Sequence, residues 1–102
     1  MASKYETILE AIYPDGTREI FYYEDELKLQ MMYDIIGNNC SMVYPLPFTK
    51  DILWYDDDGK VGEWEVNFPA TQEWADIAQD DYPVWEIDVC AGTIVKVIKG
   101  DV

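Results

Sequence analysis

The first third of the chain carries the pattern that most limits its fold: two strand-like runs joined by a turn and followed by a helix-like run. Residues 5–12 alternate in side-chain character and are rich in branched and aromatic residues, which is typical of a strand. The turn is predicted at Pro14-Asp15-Gly16-Thr17, because proline presets φ and glycine accepts a positive φ. Residues 18–23 predict the returning strand of the hairpin. Residues 25–36 predict an amphipathic helix that Gly37 ends.

The rest of the chain predicts further strands and a short second helix that Thr71 caps. The further strands are predicted at residues 41–46, 52–55, 62–66, 85–90 and 93–98. Gly92, between the last two, indicates a bend, a bulge or a tight connection. This order, ββαβββαββ or nearly so, indicates an α+β fold in which one or two helices pack on an antiparallel or mixed sheet. No repeat, linker or low-complexity tract divides the chain, so residues 1–102 are expected to form a single acidic domain.

Negative charge dominates the composition. The chain has 21 acidic and 7 basic side chains and no histidine, which gives a net charge of −14 over 102 residues. Between residues 51 and 95 there are twelve carboxylates and one base, Lys60. Since 49% of the residues are hydrophobic and 15% aromatic, this charge belongs to a folded domain and not to a disordered tail. We expect such a domain to bind neither nucleic acid directly nor an anionic membrane.

Targeting features and cysteines favour a cytoplasmic protein. The start of the chain lacks a basic region followed by a long apolar run, and no stretch approaches the ~18 apolar residues of a membrane span. In a reducing compartment, Cys40 and Cys90 are predicted to be buried free thiols, with a disulfide as the alternative.

A calcium loop is the first chemistry that the acidic residues suggest. Asp56-Asp57-Asp58-Gly59 followed by Glu65 resembles part of an EF-hand. Placing Gly59 at the sixth loop position puts Trp54 at the first, where an oxygen ligand is required, and the flanking runs predict strands and not helices. A solvated hairpin tip is the preferred interpretation, with a weak, adventitious cation site as the alternative, and no specific metal or cofactor is expected.

Catalysis is not expected either. Without histidine the chain cannot form a Ser/His or Cys/His pair. Carboxylate pairs such as Asp57/Asp58 or Glu63/Glu65 arise by chance in so acidic a chain, and the domain is small for a glycosidase cleft. The sequence therefore predicts a protein that acts by binding.

Several short motifs occur in an order that resembles a known family. They are Leu29-Gln30, Ile35-Ile36-Gly37, residues 42–47, Asp57-Asp58-Gly59-Lys60, Asn67 with Ala70, and residues 91–95. Across roughly residues 27–98 they resemble domain-of-unknown-function family 3846, an uncharacterised family of bacteriophages, plasmids and their bacterial hosts. The chain departs from the family at Asn38, where a second glycine is common, and in its acidic, aromatic residues 80–85. The resemblance implies a mobile-element protein acting inside a bacterial host cell, and it implies no activity.

Three functions stay open at this point. The first is an inhibitor that presents a DNA-mimic-like acidic surface to the basic groove of a host defence or nucleic-acid-handling protein, as in anti-CRISPR or antirestriction proteins. The second is a sponge for a small nucleotide-type signalling molecule, and the third is an acidic accessory domain that acts only by self-association, as a homodimer through a sheet edge. The partner-binding residues predicted for the first are Asp56, Asp57, Asp58, Glu63, Glu65, Asp80, Asp81, Tyr82 and Trp85.

Overall fold

The structure, a computed structural model, describes residues 4–37, 43–46, 49–56, 66–78 and 91–100. In chain order its elements are β1 (Thr7–Ile12), β2 (Arg18–Tyr23), α1 (Leu29–Ile36), β3 (Val43–Pro45), β4 (Leu53–Asp56), α2 (Phe68–Ala78) and β5 (Ile94–Lys99). The strands form one sheet in the order β2-β1-β5-β4-β3, and every neighbouring pair is antiparallel. The predicted α+β class is confirmed, with the antiparallel form of the sheet.

The predicted amino-terminal hairpin is confirmed. β1 and β2 pair along their whole length. Between them, the Asp15 carboxylate accepts hydrogen bonds from the Thr17 backbone N–H (2.9 Å) and the Thr17 hydroxyl (2.6 Å). Gly16 adopts a φ of 94°, which side-chain-bearing residues rarely tolerate. Local turn chemistry therefore sets the register of the hairpin.

The first helix ends where the sequence predicts but begins later. α1 begins at Leu29 and not at residue 25, because Lys28 is extended with φ −129° and the Asp25 carbonyl accepts a hydrogen bond from the Thr7 hydroxyl (2.8 Å). That bond ties the preceding loop to β1. At the other end, Gly37 has a φ of 67° and donates its N–H to the Tyr33 carbonyl (2.8 Å), as its predicted role as the helix stop requires.

The second helix is confirmed, but its predicted cap is wrong. Asn67 caps α2: its side-chain oxygen accepts the Ala70 backbone N–H at 3.0 Å. Pro69 stands in the first turn, where its missing N–H costs nothing. Thr71 lies inside the helix, and its hydroxyl donates to the Asn67 carbonyl (2.8 Å). Trp74 is fully buried, as the helical spacing of the apolar residues predicts.

The remaining predicted strands are partly described. β3, β4 and β5 lie within two residues of their predicted limits. Of the predicted strand 62–66 only Val66 is described, and it forms an isolated antiparallel bridge with Ala91. The predicted bend at Gly92 is present, with φ 72°. The predicted strand 85–90, the Asp-Gly hairpin tip, Cys40 and Cys90 lie outside the described residues.

One edge of the sheet is formed by β3. The Leu46 N–H donates to the Leu53 carbonyl (2.8 Å), so the backbone groups of Tyr44 and Leu46 face β4. By alternation, the backbone groups of Val43 and Pro45 point away from the sheet. Pro45 is the last residue of the strand and occupies a position where its lack of an N–H is tolerated.

Each face of the sheet is covered by one helix, which gives three layers. The layer beneath α1 consists of Leu9, Met31, Met32, Ile36, Val43, Trp54 and Val95. The layer beneath α2 consists of Ile12, Leu46, Leu53, Ala70, Trp74, Ala78 and Ile94. β5 contributes to both layers because it lies at the centre of the sheet. Within the described part of the chain, no helix has the length and apolar character needed to cross a membrane.

Candidate partner-binding surface

Of the nine residues predicted to bind a partner, the structure describes one. Asp56 ends β4 opposite Val43 of β3 and is buried, with 4% of its surface exposed. A residue in that position has little surface to offer to a partner, and we leave it out of the proposed surface. The other eight lie outside the described residues: Asp57, Asp58, Glu63, Glu65, Asp80, Asp81, Tyr82 and Trp85.

These eight residues belong to two segments that the described residues bracket. Segment 57–65 follows β4 and ends at Val66, and segment 79–90 follows α2 and ends at Ala91. Together they hold eight carboxylates and one lysine, so their net charge is −7, half of the charge of the whole chain. We call them the two acidic segments.

The ends of the two acidic segments meet at one point of the fold. Val66 and Ala91 are partners in an antiparallel bridge, and the Asn67 side-chain N–H donates to the Gly92 carbonyl at 2.8 Å. We call these four residues, Val66, Asn67, Ala91 and Gly92, the acidic-segment junction. Although the segments are separated in sequence by α2, their ends are joined by one bridge, and because the bridge is antiparallel the two segments leave it in opposite directions.

Asn67 holds this junction to the rest of the domain. It is completely buried, and its NH₂ group also donates to the carbonyl of Ile12 at the end of β1 (2.7 Å). With its oxygen on the Ala70 N–H, it uses both donors and its acceptor. One side chain therefore joins β1, the start of α2 and the approach to β5. Sequence reasoning missed this role, although an asparagine three residues before a buried alanine, with proline in the first turn, is a capping signal.

A cluster of four charged side chains fastens α2 to the sheet. The Arg18 guanidinium lies 2.9 Å from the Glu10 carboxylate and 3.1 Å from that of Glu73. The Lys96 ammonium hydrogen-bonds Oε1 of Glu73 (3.2 Å) and lies 3.0 Å from Oε2, an atom that is buried and takes no hydrogen bond of its own. β1, β2, β5 and α2 each contribute one residue, so the cluster bridges three strands and a helix.

Titration behaviour reflects these contacts. Burial alone raises the pKa of Glu73, but the hydrogen bonds and positive charges of Lys96 and Arg18 outweigh it and lower the pKa below its ordinary value. Burial lowers the pKa of Arg18, but the hydrogen bonds that its guanidinium donates to Glu73 and Glu10, together with their negative charges, outweigh that effect and raise the pKa. Both shifts favour the charged forms of Glu73 and Arg18 at neutral pH.

Most positive side chains in the described residues have a partner within the domain. Arg18 and Lys96 are held by the cluster. Lys4 lies 3.7 Å from Glu24 and 5.2 Å from the centre of the Tyr5 ring, and Lys99 donates to the Tyr5 carbonyl at 2.6 Å. Lys28 and Lys50 are the exposed lysines for which the structure shows no such contact. The described surface thus offers little positive charge to a phosphate backbone.

A cleft of about 340 Å³ lies at the opposite end of β1 and β5 from the junction, lined by Glu6, Glu26, Leu27, Lys99 and Gly100. Its two carboxylates repel phosphates, and its one ammonium group is directed at a backbone carbonyl. Among the residues that the structure describes, no group of three carboxylate or thiol side chains converges as a metal site would require.

Comparison of the chain with protein-family models, with curated protein sequences and with solved structures found no match. The resemblance to the phage and plasmid family accordingly stays a prediction from the motifs.

Proposed function

We propose that this protein is a non-enzymatic mobile-element protein, of phage or plasmid origin, that acts in the cytoplasm of a bacterial host. It binds the basic groove of a host defence or nucleic-acid-handling protein and inhibits it. The two acidic segments supply the carboxylates that replace nucleic-acid phosphates in that groove. The observation that carries the proposal is the acidic-segment junction, because it brings together the ends of two segments that hold half of the net charge.

A fixed point of attachment is what a nucleic-acid mimic needs. Duplex DNA presents about one charge per 1.7 Å of its axis, and proteins grip it with arrays of Lys and Arg. Carboxylates attached to a rigid scaffold engage such an array with less loss of conformational entropy than carboxylates on a disordered tail. Asn67, buried and hydrogen-bonded to three elements, gives the two acidic segments that scaffold.

The charge balance of the described fold supports the same partner. Its most buried cations, Arg18 and Lys96, are neutralised internally by Glu10 and Glu73. Arg18 and Lys96 therefore do not form a cationic patch that would repel a basic groove. Association with such a groove should be fast at low salt, because long-range charge attraction accelerates it. The sponge for a signalling nucleotide is less well supported, because the described cleft is lined by carboxylates.

The test is protection of an incoming phage or plasmid in cells that carry one restriction or CRISPR-type system at a time. The wild-type protein should protect against at least one system. A triple variant of the first acidic segment, Asp57→Lys with Asp58→Lys and Glu63→Lys, should lose protection. Its matched control is Asp25→Lys with Glu26→Lys and Asp34→Lys, which changes the net charge equally at exposed positions outside the acidic segments. The control should protect like the wild type.

The same variants give a binding test on any system that the wild type blocks. Direct binding of the wild-type protein to the purified target should weaken between about 50 and 200 mM salt, because salt screens the attraction between carboxylates and a basic groove. DNA displacement by the variants is then compared at one fixed salt concentration. Equal performance of the two triple variants, in cells or in DNA displacement, would show that the position of the carboxylates is irrelevant. Failure of the wild type against every system would remove the proposed class of target.

A further inference from the structure

Among the described residues, β2 forms the second edge of the sheet and has no neighbour on its outer side. Within the described parts of the chain, β1 is the one strand that pairs with β2. The Tyr13 N–H donates to the Thr17 carbonyl (3.0 Å), which fixes the pattern of the β1–β2 ladder. By alternation, the backbone groups of Glu19, Phe21 and Tyr23 face β1, and those of Arg18, Ile20 and Tyr22 point away from the sheet.

This edge lacks the features that usually prevent pairing. Edge strands are commonly interrupted by proline, a bulge or a central charge. In β2 the four residues Ile20 to Tyr23 are uncharged, although 27% of the chain is charged. Ile20 is 39% exposed and Tyr22 is 57% exposed, and both lie on the sheet face that carries α2, beyond the part that the helix covers. An apolar, regular edge on so acidic a protein points to a partner strand.

We propose that the occupant of this edge is a second copy of the chain, whose β2 pairs antiparallel with the first across a two-fold axis at Phe21. This register lets the outward-facing groups of Ile20 and Tyr22 exchange hydrogen bonds with those of Tyr22 and Ile20 in the other copy. The same pairs bring exposed apolar side chains together on one face. The proposal is independent of the proposed function.

Charge complementarity favours this register over one shifted toward the amino terminus. With Phe21 opposite itself, Arg18 lies opposite Glu24 of the second copy. Arg18 already contacts Glu10 and Glu73, but 36% of its side chain stays exposed, so a third carboxylate can approach it. Glu24 is 70% exposed, and Lys4 lies 3.7 Å from it. Moving the register by two residues toward the amino terminus places Arg18 opposite Tyr22 and loses the pair. Opposite charges across a strand pair stabilise it, and the pair occurs twice in a symmetric dimer.

Net charge gives the dimer a recognisable salt dependence. Each copy carries a charge of −14, so two copies repel at low ionic strength. Salt screens this repulsion but leaves backbone pairing and apolar contact intact. Self-association should therefore strengthen as salt rises, whereas binding to a basic groove weakens. Loss of one behaviour would not entail loss of the other.

Sedimentation equilibrium of the intact protein tests the proposal. At about 0.5 M salt, the weight-average mass should rise from the 11.9 kDa of one chain toward twice that value as concentration reaches about 500 μM, in keeping with a small interface. At about 20 mM salt the rise should be several-fold weaker. A chain that keeps its monomer mass under the high-salt condition overturns the proposal.

Two substitutions identify the surface. Ile20→Lys places a charge on the outward edge and should abolish dimerisation. Phe68→Lys is the matched control, since Phe68 is 70% exposed on α2, and it should dimerise like the wild type. Circular dichroism checks that both variants fold. If Ile20→Lys and Phe68→Lys dimerise equally, β2 is not the interface.

Cross-linking tests the register. Non-hydrogen-bonded antiparallel pairs have Cα atoms about 4.5 Å apart, within reach of a disulfide. Phe21→Cys should therefore form a disulfide with the same residue of a second copy under mild oxidation, and peptide mapping distinguishes that link from links through Cys40 or Cys90. Glu19→Cys is the control and should cross-link several-fold less. The reverse order of yields would refute the Phe21 register.

Discussion

Replacement of Asn67 by alanine should destabilise the domain more than its single side chain suggests. The change removes the cap of α2, which is worth about 0.5–2 kcal/mol. It also removes the side-chain N–H donors of two hydrogen bonds, those to the carbonyls of Ile12 and Gly92. Each of these losses costs about 1 kcal/mol when another partner or water can compensate. We expect a loss of about 2–4 kcal/mol, a large share of the ~5–15 kcal/mol that stabilises a typical domain.

Two comparison variants separate the parts of this effect. Thr71→Ala removes one hydrogen bond within the first turn and should cost about 0.5–1 kcal/mol. Asn67→Asp keeps the capping oxygen but directs a carboxylate at two carbonyls, 2.7 and 2.8 Å from the atom it replaces, and should cost at least as much as Asn67→Ala.

The measurement is urea unfolding at 25 °C, followed by circular dichroism and by tryptophan fluorescence. The order of stability should be wild type, Thr71→Ala, Asn67→Ala and Asn67→Asp. A free energy of unfolding for Asn67→Ala within about 0.5 kcal/mol of that for Thr71→Ala would refute the reasoning, because it would mean that the three hydrogen bonds of Asn67 are replaced without cost. A fully stable Asn67→Asp would show that the cap alone matters.

Three further predictions concern the charge cluster, the core and the end of α1. Glu73 has a pKa below its ordinary 4.5, so its ion pairs stabilise the fold above that pH and are lost as pH falls through the lowered value; the stability difference between wild type and Glu73→Gln, measured by urea unfolding, should shrink below pH 4.5 and should not grow. Trp74→Ala should cost about 3–5 kcal/mol by the same assay, since the ring is fully buried, and a cost below about 1 kcal/mol would contradict its place in the core. Gly37→Ala should lower the free energy of unfolding by about 1–3 kcal/mol, because its φ of 67° with ψ −151° is strained for any side chain; an unchanged midpoint would contradict that conformation.

The parts of the fold that are determined by residues close together in the sequence could be predicted. The hairpin follows from the turn at Asp15 and Gly16, and the end of α1 follows from Gly37. The start of α1 could not be predicted in the same way. Acidic residues at 24–26 favour a helix start, but the Thr7 hydroxyl holds the Asp25 carbonyl instead. A contact between residues that are distant in sequence outweighs the local preference there.

The strand order shows the same limit. β5 is the last strand of the chain, yet it lies between β1 and β4 at the centre of the sheet. Its apolar residues Ile94 and Val95 fit a strand that is covered on both faces, but a short apolar run does not name its neighbours. For the candidate site, the number of carboxylates can be read from the sequence. That the ends of the two acidic segments lie close together cannot, because only the bridge between Val66 and Ala91 shows it.

The position of Pro45 bears on what kind of assembly the sheet permits. Its ring occupies an outward-facing position of β3, so that edge lacks one of the donors that an incoming strand would use. Strand pairing between molecules at both edges of the sheet would produce a fibre. Pairing of β2 with β2 uses one edge of each molecule and therefore stops at a dimer. Pro45 in the three-residue strand β3 thus favours a closed dimer over a fibre, in a protein whose opposite sheet edge, β2, has no outer neighbour among the described residues.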